Sequence, residues 1–230
     1  MQKKSVLFFD LDGTLTDPAL GITNSFKHAL THYGLEIPSY EKLCTFIGPP
    51  LVHTFQKEFG FSEEKANEGV IFYREYFAEK GLFENEVYDG IQEMLSALKD
   101  AGFRLLIATS KPEEYSIKIA KHFGLDKYFE KICGSNMDET RSKKSEVIEY
   151  ALESIGITDT KTGTGVGEFS KSDVLMIGDR EHDIIGAKEN GIESCGVLFG
   201  YGSRAELEKA GADQIVENVT QLKDFLLQLK

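Results

Sequence analysis

The stretch Val6-Leu7-Phe8-Phe9-Asp10-Leu11-Asp12-Gly13-Thr14 decides how this chain reads. Four apolar residues without alternation fit a strand buried on both faces, the habit of a parallel sheet. Two acids follow at once, where that strand ends. Side chains two apart in an extended chain point the same way, so Asp10 and Asp12 can face one site. Gly13 then lets the backbone turn sharply or approach a ligand closely. Alone, the pair of acids could belong to a solvated loop. With Gly13-Thr14 behind it, the segment reads as a catalytic motif.

Further apolar runs, Leu105 to Ala108, Val174 to Ile177 and Gly196 to Phe199, each precede a polar or glycine-containing turn. Between them lie helical patterns. Ile91, Met94, Leu95 and Leu98 repeat at helical spacing ahead of Gly102, as do Val147, Ile148, Ala151, Leu152 and Ile155 ahead of Gly156. Ser203-Arg204-Ala205-Glu206 reads as a capping box. Strands alternating with helices predict an α/β fold, a doubly wound parallel sheet with ligands at the carboxyl ends of its strands. The stretch 17–88 breaks the rhythm. Phe26, Ala29, Leu30 and Tyr33 line one helical face, Val70, Tyr73, Tyr76 and Phe77 another, and no strand run intervenes. The expected organisation is a core of 1–16 and 89–230 interrupted by a helical insert of 17–88. Residues 158–171, rich in Gly and Thr, read as an exposed loop. Gly163-Thr164-Gly165-Val166-Gly167 is no nucleotide-binding loop. It follows a helix and precedes a strand, and Ser170 stands where a Walker sequence needs glycine.

At 230 residues the chain suits one large domain or a domain with an insert, and 41% hydrophobic residues with 28% charged describe a globular protein. A net charge of −12 argues against a nucleic-acid polymer or an acidic membrane as partner. An anionic substrate therefore needs a local cation. Cys44, Cys133 and Cys195 are scattered, which suits buried thiols in a reducing compartment. The first apolar run is too short for a signal peptide or membrane span, so a cytoplasmic location is expected. Oligomeric state has no signature in the sequence.

Three later segments follow strands, as a site at strand ends requires. Thr109-Ser110-Lys111-Pro112 offers hydroxyls and amides to an anion, or a helix N-cap before Pro112. Arg141-Ser142-Lys143-Lys144 supplies a lysine able to neutralise developing charge, with Lys144 favoured over Lys143 on helical register. In Gly178-Asp179-Arg180-Glu181-His182-Asp183, the two aspartates lie one helical turn apart and can offer oxygens to a hard cation such as Mg²⁺. Acids at a helix N-terminus are also favoured by its dipole.

Together these motifs, in this order, resemble the haloacid dehalogenase superfamily of phosphohydrolases, over nearly the whole chain. The insert looks like that family's α-helical cap on a Rossmann-like core. Ile47-Gly48-Pro49-Pro50-Leu51, Thr109-Ser110-Lys111-Pro112 and Phe199-Gly200-Tyr201-Gly202 are similar to the phosphoglycolate phosphatase and 5′-nucleotidase-like branch. The resemblance implies a Mg²⁺-dependent phosphatase acting on a small phosphorylated metabolite. Asp10 would be the nucleophile and Asp12 the acid and base, with a raised pKa. Thr109 and Lys144 would hold phosphate oxygens. The metal would be bound by Asp10, the Asp12 carbonyl, Asp179 and Asp183. Gly13, Thr14, Ser110 and Lys111 join the substrate contacts, Lys111 alternatively being a solvated loop lysine. In the cap, Gly48 and Pro49 read as substrate-selecting residues or a rigid turn, and Arg74 as a substrate contact or a surface ion pair.

The same motifs serve 5′-nucleotidases, pyrophosphatases and phosphomutases of the β-phosphoglucomutase type, and a scaffold turned to binding alone is a fourth possibility. The Gly-Pro-Pro segment favours the phosphatase branch over the mutase. His28 and His32, four apart on a helix, read as packed or surface histidines rather than half a zinc site.

Overall fold

A computed structural model of the chain describes residues 2–138, 140–157 and 169–230. Most of the expected Gly/Thr-rich loop, 158–168, lies outside the described residues. The chain divides into two compact units, Met1–Leu15 with Tyr88–Lys230, and Thr16–Val87.

The first unit is built on β1 (Val6–Phe9), β4 (Arg104–Pro112), β5 (Lys131–Ser135), β6 (Val174–Gly178), β7 (Glu193–Val197) and β8 (Gln214–Val216). They form a parallel sheet in the order β5-β4-β1-β6-β7-β8. All four residues of β1 are 0% exposed, which is why its sequence shows no alternation. The helices between strands are α5 (Ile91–Asp100), α6 (Glu113–His122), α7 (Lys144–Ser154), α8 (Glu181–Glu189) and α9 (Arg204–Ala210), and α10 (Val219–Gln228) follows β8. Ile91, Met94, Leu95 and Leu98 of α5 are buried, as are Val147, Ile148, Ala151 and Leu152 of α7. The α7 residues pack with Val6, Phe8, Leu106, Val174 and Met176 in one core.

Register positions the site. Phe9 lies beside Ile107 of β4 and Ile177 of β6, so β1 ends level with the end of β6 and with the point in β4 just before its pairing register breaks. β1 is also where the strand order reverses, since the chain runs from β1 to β4 and β5 on one side and returns to β6 on the other. Such a switch point opens a crevice at the carboxyl ends.

The structure departs from the sequence reading in particular places. β5 and β8 carry no long apolar run because they are the edge strands. β7 begins at Glu193 rather than Gly196. Ser194 is buried there because Asp213 Oδ2 accepts from its backbone N–H at 2.8 Å and its hydroxyl at 3.1 Å. β4 continues past Ala108, with a break in its pairing register between Ala108 and Pro112 that bends the Thr109–Lys111 segment. The box at Ser203 is only half made. The Ser203 hydroxyl accepts from Glu206 N at 3.2 Å, while the Glu206 carboxylate accepts from Arg180 Nε at 2.8 Å and Glu181 N at 2.9 Å.

The second unit contains α1 (Ala19–His32), α2 (Tyr40–Cys44), α3 (Leu51–Phe59) and α4 (Glu63–Tyr76), with a π-helical turn at Phe77–Gly81. It also holds a short antiparallel ladder, β2 (Thr16–Asp17) with β3 (Glu86–Val87), too brief to leave an apolar signature. Its core is aromatic: the Phe26 ring centroid lies 5.1 Å from Phe46, 5.4 Å from Phe55 and 5.0 Å from Tyr73. Both histidines are exposed: His32 stacks on Phe72 at 3.4 Å, and His28 lies 3.2 Å from Glu75. No helix among the described residues is long and apolar enough to cross a membrane.

Candidate active site

Asp10 follows β1 directly, and its backbone N–H donates to Ile177 O at 2.9 Å, which ties it to the end of β6. Asp179 follows β6, and Asp183 sits in the first turn of α8. One carboxylate oxygen from each of Asp10, Asp179 and Asp183 lies within 4.8 Å of the others, and all three residues are buried. Two glycines make this convergence possible. Gly13, in the left-handed region at φ +81°, leaves room for the Asp179 carboxylate, and Gly178 leaves room for that of Asp183.

Lys144 enters the cluster from the first turn of α7. Its Nζ donates to Asp10 Oδ1 at 2.7 Å and to the Ala108 carbonyl at 3.1 Å. Asp183 Oδ1 is 2.8 Å from the same nitrogen, an ion pair off the hydrogen-bonding direction. Lys143, the N-cap residue, is exposed. Helical register separates the two lysines, since α7 turns its buried face, with Val147 and Ile148, toward the sheet.

Burial disfavours a charged Lys144, but the Asp10 and Asp183 carboxylates outweigh it and raise its pKa. Asp179 is held well above the usual carboxylate range, first by burial and then by repulsion from Asp183 and Asp10. Burial likewise raises Asp183. Three buried acids around one ammonium leave net negative charge, which a bound cation would neutralise. The donors are hard oxygens, so the cluster suits a divalent metal that prefers carboxylates.

Asp12 lies apart from this cluster. Its Oδ2 accepts from Lys111 Nζ at 2.6 Å, and its Oδ1 is buried with no hydrogen-bond partner among the described residues. Burial raises its carboxyl pKa, and the Lys111 ammonium opposes this without reversing it. Thr109 is buried, and its hydroxyl accepts from Lys111 N at 3.3 Å, while Ser110 is half-buried. Neither caps α6, whose N-cap is Pro112. Thr14 is buried, with its hydroxyl 3.4 Å from Asp179 Oδ1.

The candidates Gly48, Pro49 and Arg74 belong to the helical unit. Gly48, at φ +105°, and Pro49 form the turn between α2 and α3, and Arg74 is half-buried in the last turn of α4. Sequence reasoning missed the role of Tyr201, whose backbone N–H donates to Asp179 Oδ2 at 2.8 Å. The Phe199–Gly202 motif was visible, but a backbone donor leaves no side-chain signal.

Buried aspartates and a buried ammonium at the switch point of a parallel sheet form a site suited to a metal ion and an anionic group. A family model described as haloacid dehalogenase-like hydrolase matches residues 7–197. The chain is 46% identical over 220 residues to a 5′-nucleotidase of Pseudomonas aeruginosa, covering 96% of this chain and 94% of that one. It is 35% identical over 219 residues to the tyrosine-protein kinase PtkA of Mycobacterium tuberculosis, covering 95% and 70%. A crystal structure of a predicted phosphatase from Clostridium acetobutylicum superposes with a TM-score of 0.90 at 44% identity, over 99% of this chain and 100% of that one. The protein belongs to the haloacid dehalogenase-like hydrolase family, and it is a phosphatase of that family.

Proposed function

We propose that this enzyme hydrolyses a small phosphomonoester through an aspartyl-phosphate intermediate on Asp10. The observation behind the reading is the placement of Asp10 at the end of the central strand, within the oxygen cluster of Asp179 and Asp183 and paired with Lys144 at 2.7 Å.

Lys144 holds Asp10 Oδ1, which leaves Oδ2 to attack phosphorus in line with the departing ester oxygen. As the bond from phosphorus to that oxygen breaks, Asp12 gives it a proton and the alcohol leaves. The raised pKa of Asp12 favours the protonated form this step needs. Asp12, now a carboxylate, takes a proton from water as that water attacks the phosphorus. The bond to Asp10 then breaks, phosphate leaves and both acids return to their starting forms. Thr109 and Lys144 hold phosphate oxygens throughout. Asp10, Asp179, Asp183 and the Asp12 carbonyl would hold Mg²⁺, which when bound offsets repulsion between the nucleophile and a dianionic phosphate.

The name of the 46% identical relative favours a nucleoside 5′-monophosphate as substrate, and the motifs' resemblance to the phosphoglycolate phosphatase and 5′-nucleotidase-like branch sets phosphoglycolate beside it. Roles for Gly48, Pro49 and Arg74 in that choice are proposed on the resemblance alone. Phosphate release from nucleoside 5′-monophosphates, phosphoglycolate, a sugar phosphate and pyrophosphate, ranked by kcat/KM with Mg²⁺, separates these substrates. The Asp10→Asn protein, folded by circular dichroism, should release no phosphate. Turnover at the wild-type rate would remove Asp10 as the nucleophile.

A further inference from the structure

We propose that the loop Phe199–Gly202, after β7, is a positioning element for Asp179, holding that carboxylate in the geometry that binds metal. The inference rests on the reading of Asp179 as a metal ligand and adds the part of the chain that shapes it.

Gly200 and Gly202 flank Tyr201, whose backbone N–H donates to the Asp179 carboxylate. A Cβ on Gly200 would strike the Gly13 carbonyl oxygen, and would stand 2.5 Å from Asp179 Cβ and Oδ2. A Cβ on Gly202 would strike the Asp179 carbonyl oxygen. Neither glycine has a positive φ. Conformational freedom is therefore not what these positions require. They require the absence of a side chain, because the loop backbone lies directly against Asp179.

That close approach brings the Tyr201 N–H to 2.8 Å from Asp179 Oδ2. Gly13 closes the other side, where a Cβ would meet the same carboxylate. The carboxylate is thus confined between two loops, with Oδ2 anchored by a backbone N–H. Oδ1 accepts from the Thr14 hydroxyl at 3.4 Å, the longer of the two bonds to this carboxylate. The loop is itself fixed at its start, where the Phe199 ring meets Tyr88 edge to face at 5.4 Å. A fixed orientation matters because a ligand that must reorient before binding loses affinity, and the groups that orient ligands commonly govern about 10–100-fold in metal affinity.

The test is titration of the full chain, stripped of metal, with MgCl₂ by calorimetry. Gly200→Ala and Gly202→Ala should each weaken Mg²⁺ binding at least about tenfold. Asp179→Asn should abolish it. Gly196→Ala is the control for crowding alone, since the atoms nearest its Cβ would be those of the Leu207 side chain, with Cδ1 at 2.8 Å, and not those of Asp179. That variant should lose thermal stability with an Mg²⁺ affinity within about twofold of wild type. If the two loop variants do not fold, Tyr201→Pro replaces the N–H by a ring carbon facing Asp179 Oδ2, and the same weakening is expected. Glycine or proline variants that bind Mg²⁺ like wild type, while Asp179→Asn does not, would overturn the positioning role and leave the metal ligand standing. An Asp179→Asn protein with wild-type affinity would overturn the ligand reading itself.

Discussion

Replacing Lys144 by Met should destabilise the protein in a pH-dependent way. Met keeps the length of an apolar stem but removes the ammonium that lies 2.7 Å from Asp10 Oδ1 and 2.8 Å from Asp183 Oδ1. Lys144 is only 7% exposed and Asp183 1%, so water cannot replace the lost partner. Removing one member of a buried ion pair costs about 3–5 kcal/mol, because the other member stays buried and charged. In a domain of this size about 1 kcal/mol moves Tm by roughly 2–4 °C, so a fall of roughly 6–20 °C is expected near neutral pH. The sign of the pH effect follows from the shifts. Lys144 has a raised folded-state pKa, so its stabilisation is complete below the ordinary lysine value of about 10.4 and constant across pH 5–8 in the wild type. The Lys144 ammonium holds the Asp183 carboxyl below where burial alone would put it, so without Lys144 that carboxyl rises further and the added penalty for burying it charged grows as pH rises above about 4. The variant should therefore be closest to wild type at pH 5 and furthest from it at pH 8. Thermal unfolding by circular dichroism in EDTA measures this. A Tm deficit below 2 °C at pH 8, or one equal at both pH values, would refute the electrostatic account of Lys144.

Three further outcomes are expected. Lys143→Met should leave stability and phosphate release unchanged, since Lys143 is exposed while its neighbour is buried; a large loss in either assay would count against the register of α7. Asp12→Asn should lower kcat for an alkyl phosphate by about 10²–10⁴ with the fold intact, and far less for an aryl phosphate whose leaving group needs no proton; equal losses on both would argue against general acid catalysis. Native alkylation followed by mass spectrometry should modify Cys44 before Cys133 and Cys195, because burial raises the Cys133 thiol to about 11, raises Cys195 further, and leaves Cys44 half-buried.

The groups of the candidate site lie in short local motifs that the sequence displays. Asp10 and Asp12 follow an apolar run with no alternation, and β1 is buried on both faces for the same reason. Asp179 and Asp183 follow another such run. Lys144 separates from Lys143 by the period of the helix that starts there. Elements with strong local periodicity, such as α5 and α7, were likewise legible. The edge strands β5 and β8 were not, because a strand covered on fewer sides needs fewer apolar residues. Nor was the two-residue ladder of the helical unit, which is shorter than any periodic signal.

The residue types and their order along the chain thus predicted an α/β core with a helical insert, and the resemblance they carry supplied the expectation of an aspartate-based phosphatase site. The tertiary structure alone decided how those groups share their charges. Lys144 pairs with Asp10 and Asp183 across 134 and 39 residues of chain, and Lys111 with Asp12 across 99. No pattern in sequence encodes such distances, because they depend on which strands lie side by side. The same holds for Asp179, fixed by a backbone N–H and two glycines from a loop more than twenty residues away. A backbone group is present at every position, and only packing determines which one a carboxylate meets.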